Sequence, residues 1–323
     1  MVRENPFRAR IIEASPDEVD LIEEAVAERR CRERLGFATF AEAADEFRPH
    51  PACPTCSSDR ARRDGRAPSG VQRWECPACG RKCNSLSGTV FEHARHGLPK
   101  WASFIGLMRY NVPIDCIAEA IGITHQTAWE WRHRVFATVD GYQDGTVLGD
   151  RVWIDETYVV DTDLSHGYGQ ARRRGLSKRL LCIAVAIDSR KRCLAVVCGH
   201  GKPSARGVRA AFGGRIARGA TIVHGKERAH NGVVSDLGAD SEAHKADVRD
   251  PVYLERMALV NNLCSWLKRC LWRFTGMDMR NMQSYLNWYV YLFRVNQERD
   301  SWEPTARVVR HMLMREMTFR SST

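Results

Sequence analysis

Two closely spaced pairs of cysteines constrain this 323-residue chain more than any other feature. Cys53 and Cys56 are separated by two residues, nineteen residues follow, and Cys76 and Cys79 repeat the two-residue spacing. Each pair can present two thiolates from one tight turn, and two such turns complete a tetrahedral Zn site with no open position. The spacing therefore predicts a structural zinc ribbon over residues 50–92, which is too small to bury a core of its own.

The charge of the chain is the second constraint. Forty-nine Lys and Arg against 39 Asp and Glu give a net charge of +10, and the excess is uneven. Residues 171–219 hold thirteen bases and one acid, whereas residues 1–49 form an acidic segment with the pattern of a helical arm. So basic a stretch favours DNA as a partner, with Arg172, Arg173 and Arg174 as candidate contacts. A solvated basic face is the alternative.

The N-terminal residues and the apolar runs bear on location. The first residues contain no apolar signal core, and no apolar run approaches the ~20 residues of a membrane span. We therefore expect a cytoplasmic protein with no membrane partner, in which the eight cysteines outside the ribbon stay reduced.

Residues 98–140 have helical periodicity with one break at Gly122. Apolar residues line one side of the helix before the break, and Thr124 can cap the helix after it. This pattern is typical of a helix-turn-helix DNA-binding segment, although an ordinary helical hairpin gives the same periodicity. In the DNA-binding case, the residues expected to enter a major groove are His125, Gln126, Trp129, Arg132 and His133.

From residue 150 to residue 296 the pattern changes to strands, then alternating helices and strands, then helices, which predicts a mixed α/β layer fold. Residues 297–323 are expected to form a C-terminal tail. Asp155 and Glu156 lie within an otherwise apolar strand, where successive side chains point to opposite faces. One of them is expected to be a working acid that binds a divalent metal; an edge strand with both acids in solvent is the alternative.

Two polar residues on a later helix complete the candidate site. Asn261 and Lys268 lie seven residues apart, close to two helical turns, and so face the same way. An amide oxygen can bind a metal or position a water, and an ammonium can neutralise developing phosphate charge. A solvent-exposed helix face that forms no site would also carry such residues.

The order of ribbon, helix-turn-helix, strand acid and polar helix resembles the insertion-sequence transposases that join an N-terminal zinc ribbon to an RNase H-like core, the family numbered fifteen ninety-five. The resemblance covers residues 50–295. Its motifs are the four cysteines followed by LSGTVFE (86–92), ITHQTAW (123–129), WIDET (153–157) and VNNLCSWLK (260–268).

The resemblance implies a multidomain α/β protein with a DDE-type reaction, in which two Mg²⁺ or Mn²⁺ ions support attack on phosphodiesters. It implies DNA partners, namely terminal inverted repeats and target DNA, a homo-oligomer on DNA, and the bacterial or archaeal nucleoid as location. By the same resemblance, Asp155 is the first acid, Asn261 takes the third metal-side position in place of a final Glu, and Lys268 faces phosphate.

The second acid of the family is missing. The family reads VHDxExAH where this chain reads VHGKERAH (223–230), so that Gly225 occupies the acid's place and two-metal catalysis should be impaired. Three explanations stay open: a decayed copy, a deliberate change, or substitution by a neighbour, for which His224, Glu227 and Asp236 are candidates. The alternative function is a catalytically inactive DNA-binding protein or regulator derived from a transposase.

Overall fold

The computed structural model describes residues 5–160, 180–247, 249–274, 277–298 and 303–315. The α-helices of these ranges are α1 (Pro6–Ile12), α2 (Pro16–Leu35), α3 (Phe40–Phe47), α4 (Leu98–Arg109), α5 (Ile114–Ile121), α6 (His125–Ala137), α7 (Ala205–Phe212), α8 (Asn231–Leu237), α9 (Pro251–Trp272), α10 (Met282–Val295) and α11 (Pro304–Met314). The strands are β1 (Arg62–Arg66), β2 (Gln72–Glu75), β3 (Lys82–Asn84), β4 (Arg151–Val160), β5 (Leu180–Asp188), β6 (Cys193–His200), β7 (Thr221–His224) and β8 (Asp240–Ala243). The mixed α/β class is confirmed. None of the helices in the described ranges is long and apolar enough to cross a membrane.

The chain divides into two compact units. The first unit contains residues up to 138 together with the C-terminal residues from 299, and the second contains residues 139–298. Residues 304–314, which we expected within a C-terminal tail, instead form α11 and belong to the first unit. The apolar spacing of Val308, Val309, Met312 and Leu313 explains the difference, because these side chains line one helix face and are all buried.

The N-terminal helices begin where the sequence provides caps. Ser15 and Glu18 form a capping box at the start of α2, and Thr39 and Glu42 form another at the start of α3. In each box the hydroxyl accepts the N3 amide while the glutamate accepts the amide of the cap residue, so that two otherwise unpaired donors are satisfied. Residues 6–47 therefore contain three capped helices.

Aromatic packing joins the helices of the first unit. The indoles of Trp101 on α4 and Trp131 on α6 stack with centroids 3.7 Å apart and planes inclined by 9°. Phe91 meets the Trp101 ring edge-on at 5.2 Å. All three side chains are buried, and such rings supply much of the apolar area of a small core.

A five-stranded sheet in the order β6-β5-β4-β7-β8 forms the second unit. Strands β4, β5 and β6 are antiparallel neighbours, whereas β7 runs parallel to β4 and β8 runs parallel to β7. On one face, Val152 and Ile154 of β4 pack with Val208 and Phe212 of α7. On the other face, α9 lies along β4, where the Trp153 indole donates to the Arg256 carbonyl at 2.8 Å. The central strand β4 is thus covered on both faces.

The exposed edge of β6 is closed by two glutamine side chains. Gln143 accepts from the amide of Ala195 at 2.8 Å and donates to its carbonyl at 3.0 Å. Gln283 of α10 accepts from the amide of Val197 at 3.1 Å. Unpaired edge groups invite pairing with another chain, and these amides satisfy them internally.

Strand β8 was not predicted. Its four residues, DSEA, are polar and lack the apolar alternation that identifies a strand in sequence. Backbone pairing with β7 alone defines it.

Candidate functional site

The four predicted ligand cysteines lie on two turns of the same build. The amide of Ser57 donates to the Cys53 carbonyl at 2.8 Å, and the amide of Gly80 donates to the Cys76 carbonyl at 2.8 Å. Ser57 and Gly80, each directly after the second cysteine of its pair, both have a left-handed backbone, with φ of 57° and 69°. This shared conformation reverses the chain so that both thiols of a pair point to the same side.

The thiols meet at one point. The Cys53 and Cys79 sulfurs are 3.7 Å apart, the Cys56 and Cys76 sulfurs are 3.6 Å apart, and all four lie within 4.8 Å of one another. Tetrahedral Zn–S bonds of about 2.3 Å place sulfurs about 3.8 Å apart, so the donor set fits this metal. In the described part of the chain this is the one group of three or more His, Cys, Asp or Glu ligand atoms so arranged.

The backbone around the thiols favours thiolates. Hydrogen bonds from the amides of Cys56 and Thr55 lower the pKa of Cys53 to about 6. Zinc binds the deprotonated sulfur, so amides directed at a thiol favour its ligand form before the metal arrives. The cysteine cluster could therefore hold a structural metal such as zinc.

The second candidate region is the helix pair α5 and α6. Gly122 ends α5 with a left-handed φ of 64°, and the Thr124 hydroxyl accepts the Thr127 amide at the start of α6. Ala128 and Val135 of α6 are buried on the inner side. Gly122 and Thr124 thus end α5 and begin α6 as the sequence predicts, whereas the second break of this segment, at residues 110–113 between α4 and α5, was not predicted.

The outer side of α6 carries most of the predicted contact residues. His125, Gln126 and Trp129 are exposed, and the imidazole of His133 lies 4.2 Å from the Trp129 ring. Gln126 donates to Glu130 at 3.0 Å, so its amide is already engaged within the helix.

Arg132 departs from the expected outer position. It is only 8% exposed, and we correct its placement from the outer face to the buried side of α6. Arg132 follows Ala128 by four residues, which is about 40° around a helix, and therefore lies on nearly the same side as that buried alanine. The predicted contacts Arg172, Arg173 and Arg174 lie outside the described residues.

Asp155 and Glu156 of β4 point to opposite faces of the sheet, as the alternation of a strand requires. Asp155 faces α9, and burial raises the pKa of its carboxyl to about 6. The nearby charge of Lys268 on α9 opposes this shift. Asp155 also raises the pKa of Tyr253 and Cys264 on the same helix, although burial is the larger cause for both.

The partner residues on α9 share its Asp155-facing stripe. Asn261, Cys264 and Lys268 follow one another at three and four residues, which keeps them on one side of a helix. Asn261 is partly buried and Lys268 is exposed. The Asp155-facing stripe of α9 therefore carries both Asn261 and Lys268, and the Lys268 charge acts on the Asp155 carboxyl.

Gly225 directly follows β7, the strand parallel to β4. A Cβ atom added there would have as its nearest neighbour the Tyr253 hydroxyl at 3.8 Å, which is ordinary van der Waals contact. Its φ is not in the left-handed region that favours glycine. An aspartate would therefore fit at this position without backbone strain.

The three candidate substitutes for an acid at residue 225 lie in other surroundings. Glu227 accepts the Arg228 amide at 2.9 Å and caps the 3₁₀ turn Arg228–His230. Asp236 on α8 forms an ion pair with Arg209 at 2.7 Å. His224 is 2% exposed and hydrogen-bonds other residues on the face opposite Asp155.

This opposite face contains a buried hydrogen-bonded chain that sequence reasoning missed. His230 lies 2.6 Å from the Glu156 carboxylate through Nε2 and 3.3 Å from Nδ1 of His224 through its own Nδ1. His224 in turn reaches the Ser241 hydroxyl through Nε2 at 3.0 Å. Burial lowers the pKa of His224 to about 4. The two histidines of VHGKERAH (223–230) were the available sequence signal for this network, but only the fold shows that His230 is paired with Glu156.

Donor chemistry at Asp155 does not fit a two-metal centre. Asp155 and Asn261 offer oxygen ligands, Gly225 offers none, and Glu156 is held by His230 on the other face. Two hard divalent cations require several carboxylate oxygens between them. Among the described residues, those around Asp155 therefore do not provide a complete ligand set for two metal ions.

Comparison with known proteins gives one relative in sequence. No protein-family model matches the chain. The chain is 32% identical over 129 residues, 39% of its length, to an uncharacterized protein in transposable element ISH50 of Halobacterium salinarum. The match spans 43% of that relative, less than half its length.

Among solved structures, the crystal structure of a pre-cleavage Mos1 transpososome aligns with 58% of this chain and 75% of its own chain, at 11% identity and a TM-score of 0.20. Over part of its length, then, this chain is similar in sequence to a protein encoded within a transposable element.

Proposed function

We propose that this chain is a transposase that binds the terminal inverted repeats of an insertion sequence and acts on DNA strands at Asp155, with an activity impaired by Gly225. The observation that carries the proposal is the partly buried Asp155 carboxyl on the central strand, which faces the stripe of α9 that carries Asn261 and Lys268. A mixed sheet with helices on both faces supports an RNase H-like core. The similarity to a transposable-element protein supports the same class of function.

The first unit supplies the DNA-binding part of the proposal. A zinc ribbon held by Cys53, Cys56, Cys76 and Cys79 and a helix-turn-helix over α5 and α6 would contact the repeat. His125, Gln126 and Trp129 present donors and an aromatic ring at the start and outer side of α6, the part that enters a major groove in this motif. The basic net charge supplies the non-specific attraction to phosphate.

Specific binding can be tested without knowing the repeat. Duplexes selected from random sequence by the full chain would be compared with unselected duplexes by fluorescence anisotropy. Gln126→Ala should weaken binding to the selected duplex by about tenfold and binding to unselected DNA much less, because base contacts carry the sequence preference. Glu119→Ala, on the exposed side of α5, is the matched control. Equal losses on both DNAs would show that Gln126 does not read bases.

Strand cleavage is tested at residue 225. Nicking of supercoiled plasmid in Mg²⁺ or Mn²⁺ would be measured for the parent, for Gly225→Asp, and for Gly225→Asp combined with Asp155→Asn. We expect little nicking by the parent, a clear gain with Gly225→Asp, and loss of that gain with Asp155→Asn. Gly145→Asp is the control, since a Cβ there meets no atom within 4 Å. A parent as active as Gly225→Asp would contradict the assignment of residue 225.

Catalytically inactive DNA binding remains the alternative function. It predicts that duplex binding persists while none of these variants nicks DNA.

A further inference from the structure

An exposed tryptophan ends α9 beside the candidate site. Trp272 is 85% exposed, the largest exposed fraction given for any large apolar side chain in the described ranges. Burying an indole is strongly favourable, so such exposure on an ordered helix indicates a surface that meets a partner. The partner must accept an aromatic face at that position.

Trp272 lies within a basic surface. It follows Lys268 by four residues and is therefore its neighbour on the helix, while Arg269 and Arg273 form the adjacent stripe. All three cationic residues are exposed, and residues 259–274 include no acid. We call these four residues, Lys268, Arg269, Trp272 and Arg273, the α9 ridge. Its charge is complementary to a polyanion.

The ridge continues from the candidate site. Lys268 is close enough to Asp155 to influence its pKa, and Trp272 lies about 6 Å farther along the helix axis. A strand whose phosphate meets Lys268 would therefore place the base of a neighbouring nucleotide within reach of the indole. Inside a duplex that base is stacked on both faces, so an internal base must be unpaired before it can present a face to tryptophan.

From this arrangement we infer that Trp272 is a stacking residue for an unpaired nucleotide of the DNA strand held at Lys268, with Arg269 and Arg273 binding the flanking phosphates. The inference rests on the proposed function and deepens it, because it names the form of DNA that the site takes: a strand end or a locally unpaired segment rather than a continuous duplex.

The test compares three DNA probes by fluorescence anisotropy with the full chain. These are a blunt duplex of about 15 base pairs, the same duplex with an unpaired 3′ extension, and the extended duplex with abasic sites in the extension. Trp272→Ala should weaken binding of the extended duplex by about tenfold, because stacking is lost. Binding of the blunt and abasic probes should change less than about twofold. Trp272→Phe should restore most of the affinity for the extended duplex.

Matched variants separate stacking from charge and from exposure alone. Phe7→Ala removes another exposed aromatic ring, 67% exposed on α1 and outside the proposed DNA-binding segments, and should leave all three affinities unchanged. Arg269→Gln with Arg273→Gln should weaken all three probes and reduce the salt dependence of binding, as expected for phosphate contacts.

Four results would overturn the inference. Equal losses on the blunt and extended duplexes would show that Trp272 does not meet unpaired bases. A change of Trp272→Ala in oligomeric state, measured by sedimentation, with unchanged DNA affinity would assign the ridge to a second copy of the chain. Failure of the parent to bind any DNA would overturn the proposed function as well, whereas normal duplex binding without an effect of Trp272 would overturn this inference alone.

Discussion

At the residue scale, two aspartates of the second unit, one partly buried and one fully buried, have opposite surroundings. Asp155 has few polar partners, and burial raises its pKa to about 6. Asp188 is fully buried, but its carboxylate accepts the amides of Arg190 and Arg192 at 3.0 and 2.8 Å and pairs with the Arg192 guanidinium at 2.8 Å. The first carboxylate opposes folding when charged, and the second supports it.

Asp155→Asn should therefore stabilise the protein in metal-free buffer at pH about 7.5, by up to about 3 kcal/mol for a pKa raised about two units. Between pH about 4 and 6 the folded state holds the Asp155 proton that the unfolded state releases. The contribution of Asp155 to stability consequently falls as pH rises through this window, and the gain from Asn should vanish near pH 4. Thermal unfolding of parent and variant at the two pH values checks the sign.

Asp188→Asn is the control for that experiment. Its loss of a charged acceptor for three donors should destabilise the protein by about 2–3 kcal/mol at neutral pH. If both substitutions shift the melting temperature in the same direction, the contrast between the two carboxylates is wrong.

At the element scale, side chains alternate between the two faces of β4, so the adjacent acids Asp155 and Glu156 have different partners. Asp155 faces α9, while Glu156 anchors the chain of His230, His224 and Ser241 on the other face. With Glu156 ionised, one tautomer set satisfies every link: His230 donates Nε2–H to Glu156, His224 donates Nδ1–H to His230, and Ser241 donates to His224. This chain joins β4, β7, β8 and the 3₁₀ turn that follows β7.

Acid should weaken the hydrogen-bonded network of Glu156, His230, His224 and Ser241. Burial lowers the pKa of His224 to about 4, and repulsion from His230 and His244 adds to the effect. The stability contributed by neutral His224 is complete above pH about 6.5 and is lost as pH falls towards 4. The reason is that, on acidification, the His224 imidazole of the unfolded state binds a proton at a higher pH than that of the folded state. His224→Gln should destabilise the protein at neutral pH by about 1–3 kcal/mol and remove this acid-side loss. Urea unfolding across the pH range measures both effects.

His224 and Asp155 act in opposite directions over the same pH interval. The free energy of unfolding of the parent should therefore change less with pH over this interval than that of either variant. In Asp155→Asn only the loss of stability towards acid that His224 causes remains, and in His224→Gln only the gain towards acid that Asp155 causes remains. A His224→Gln profile with the same slope as that of the parent would contradict the assignment of the buried pair.

The cysteine cluster gives another prediction at this scale, because the stability of the first unit should depend on bound zinc. Cys76→Ser removes one of four converging donors and should abolish stoichiometric zinc, measured by elemental analysis, and destabilise the first unit. Cys116→Ser changes an exposed cysteine outside the cluster and should retain both zinc and stability. Zinc retained by Cys76→Ser at parental affinity would exclude the four-cysteine site.

At the scale of the whole molecule, local pattern predicts some features well and tertiary features poorly. The cysteine spacing, the helix break at Gly122 and the cap at Thr124 are local, and the structure agrees with them. Strand β8 is defined only by its neighbour, and His230, the partner of Glu156, is 74 residues away in sequence. Arg132 shows the same limit in a helix, because the polar end of a long side chain conceals how deeply its stem is buried.

The packing of the C-terminal helix α11 with the N-terminal helices of the first unit is the largest such long-range feature. Glu303 caps α11 and accepts hydrogen bonds from Arg34 of α2 at 3.2 Å and Arg109 of α4 at 3.3 Å. The carbonyl of Leu313 accepts from the buried Arg48 at 3.1 Å. The C-terminal helix therefore contributes to the stability of a unit built mainly from the first 138 residues.

Met312 and Met314 provide a matched pair for this point, since the first is fully buried and the second is 55% exposed. Met312→Ala should destabilise the first unit by about 2–5 kcal/mol through lost burial and a cavity, whereas Met314→Ala should change stability by less than about 0.5 kcal/mol. Hydrogen exchange locates the effect: amides of α2 and α4 should exchange faster in Met312→Ala, while those of β4 and β5 keep parental protection. Equal acceleration in β5 would show that the two units do not unfold independently.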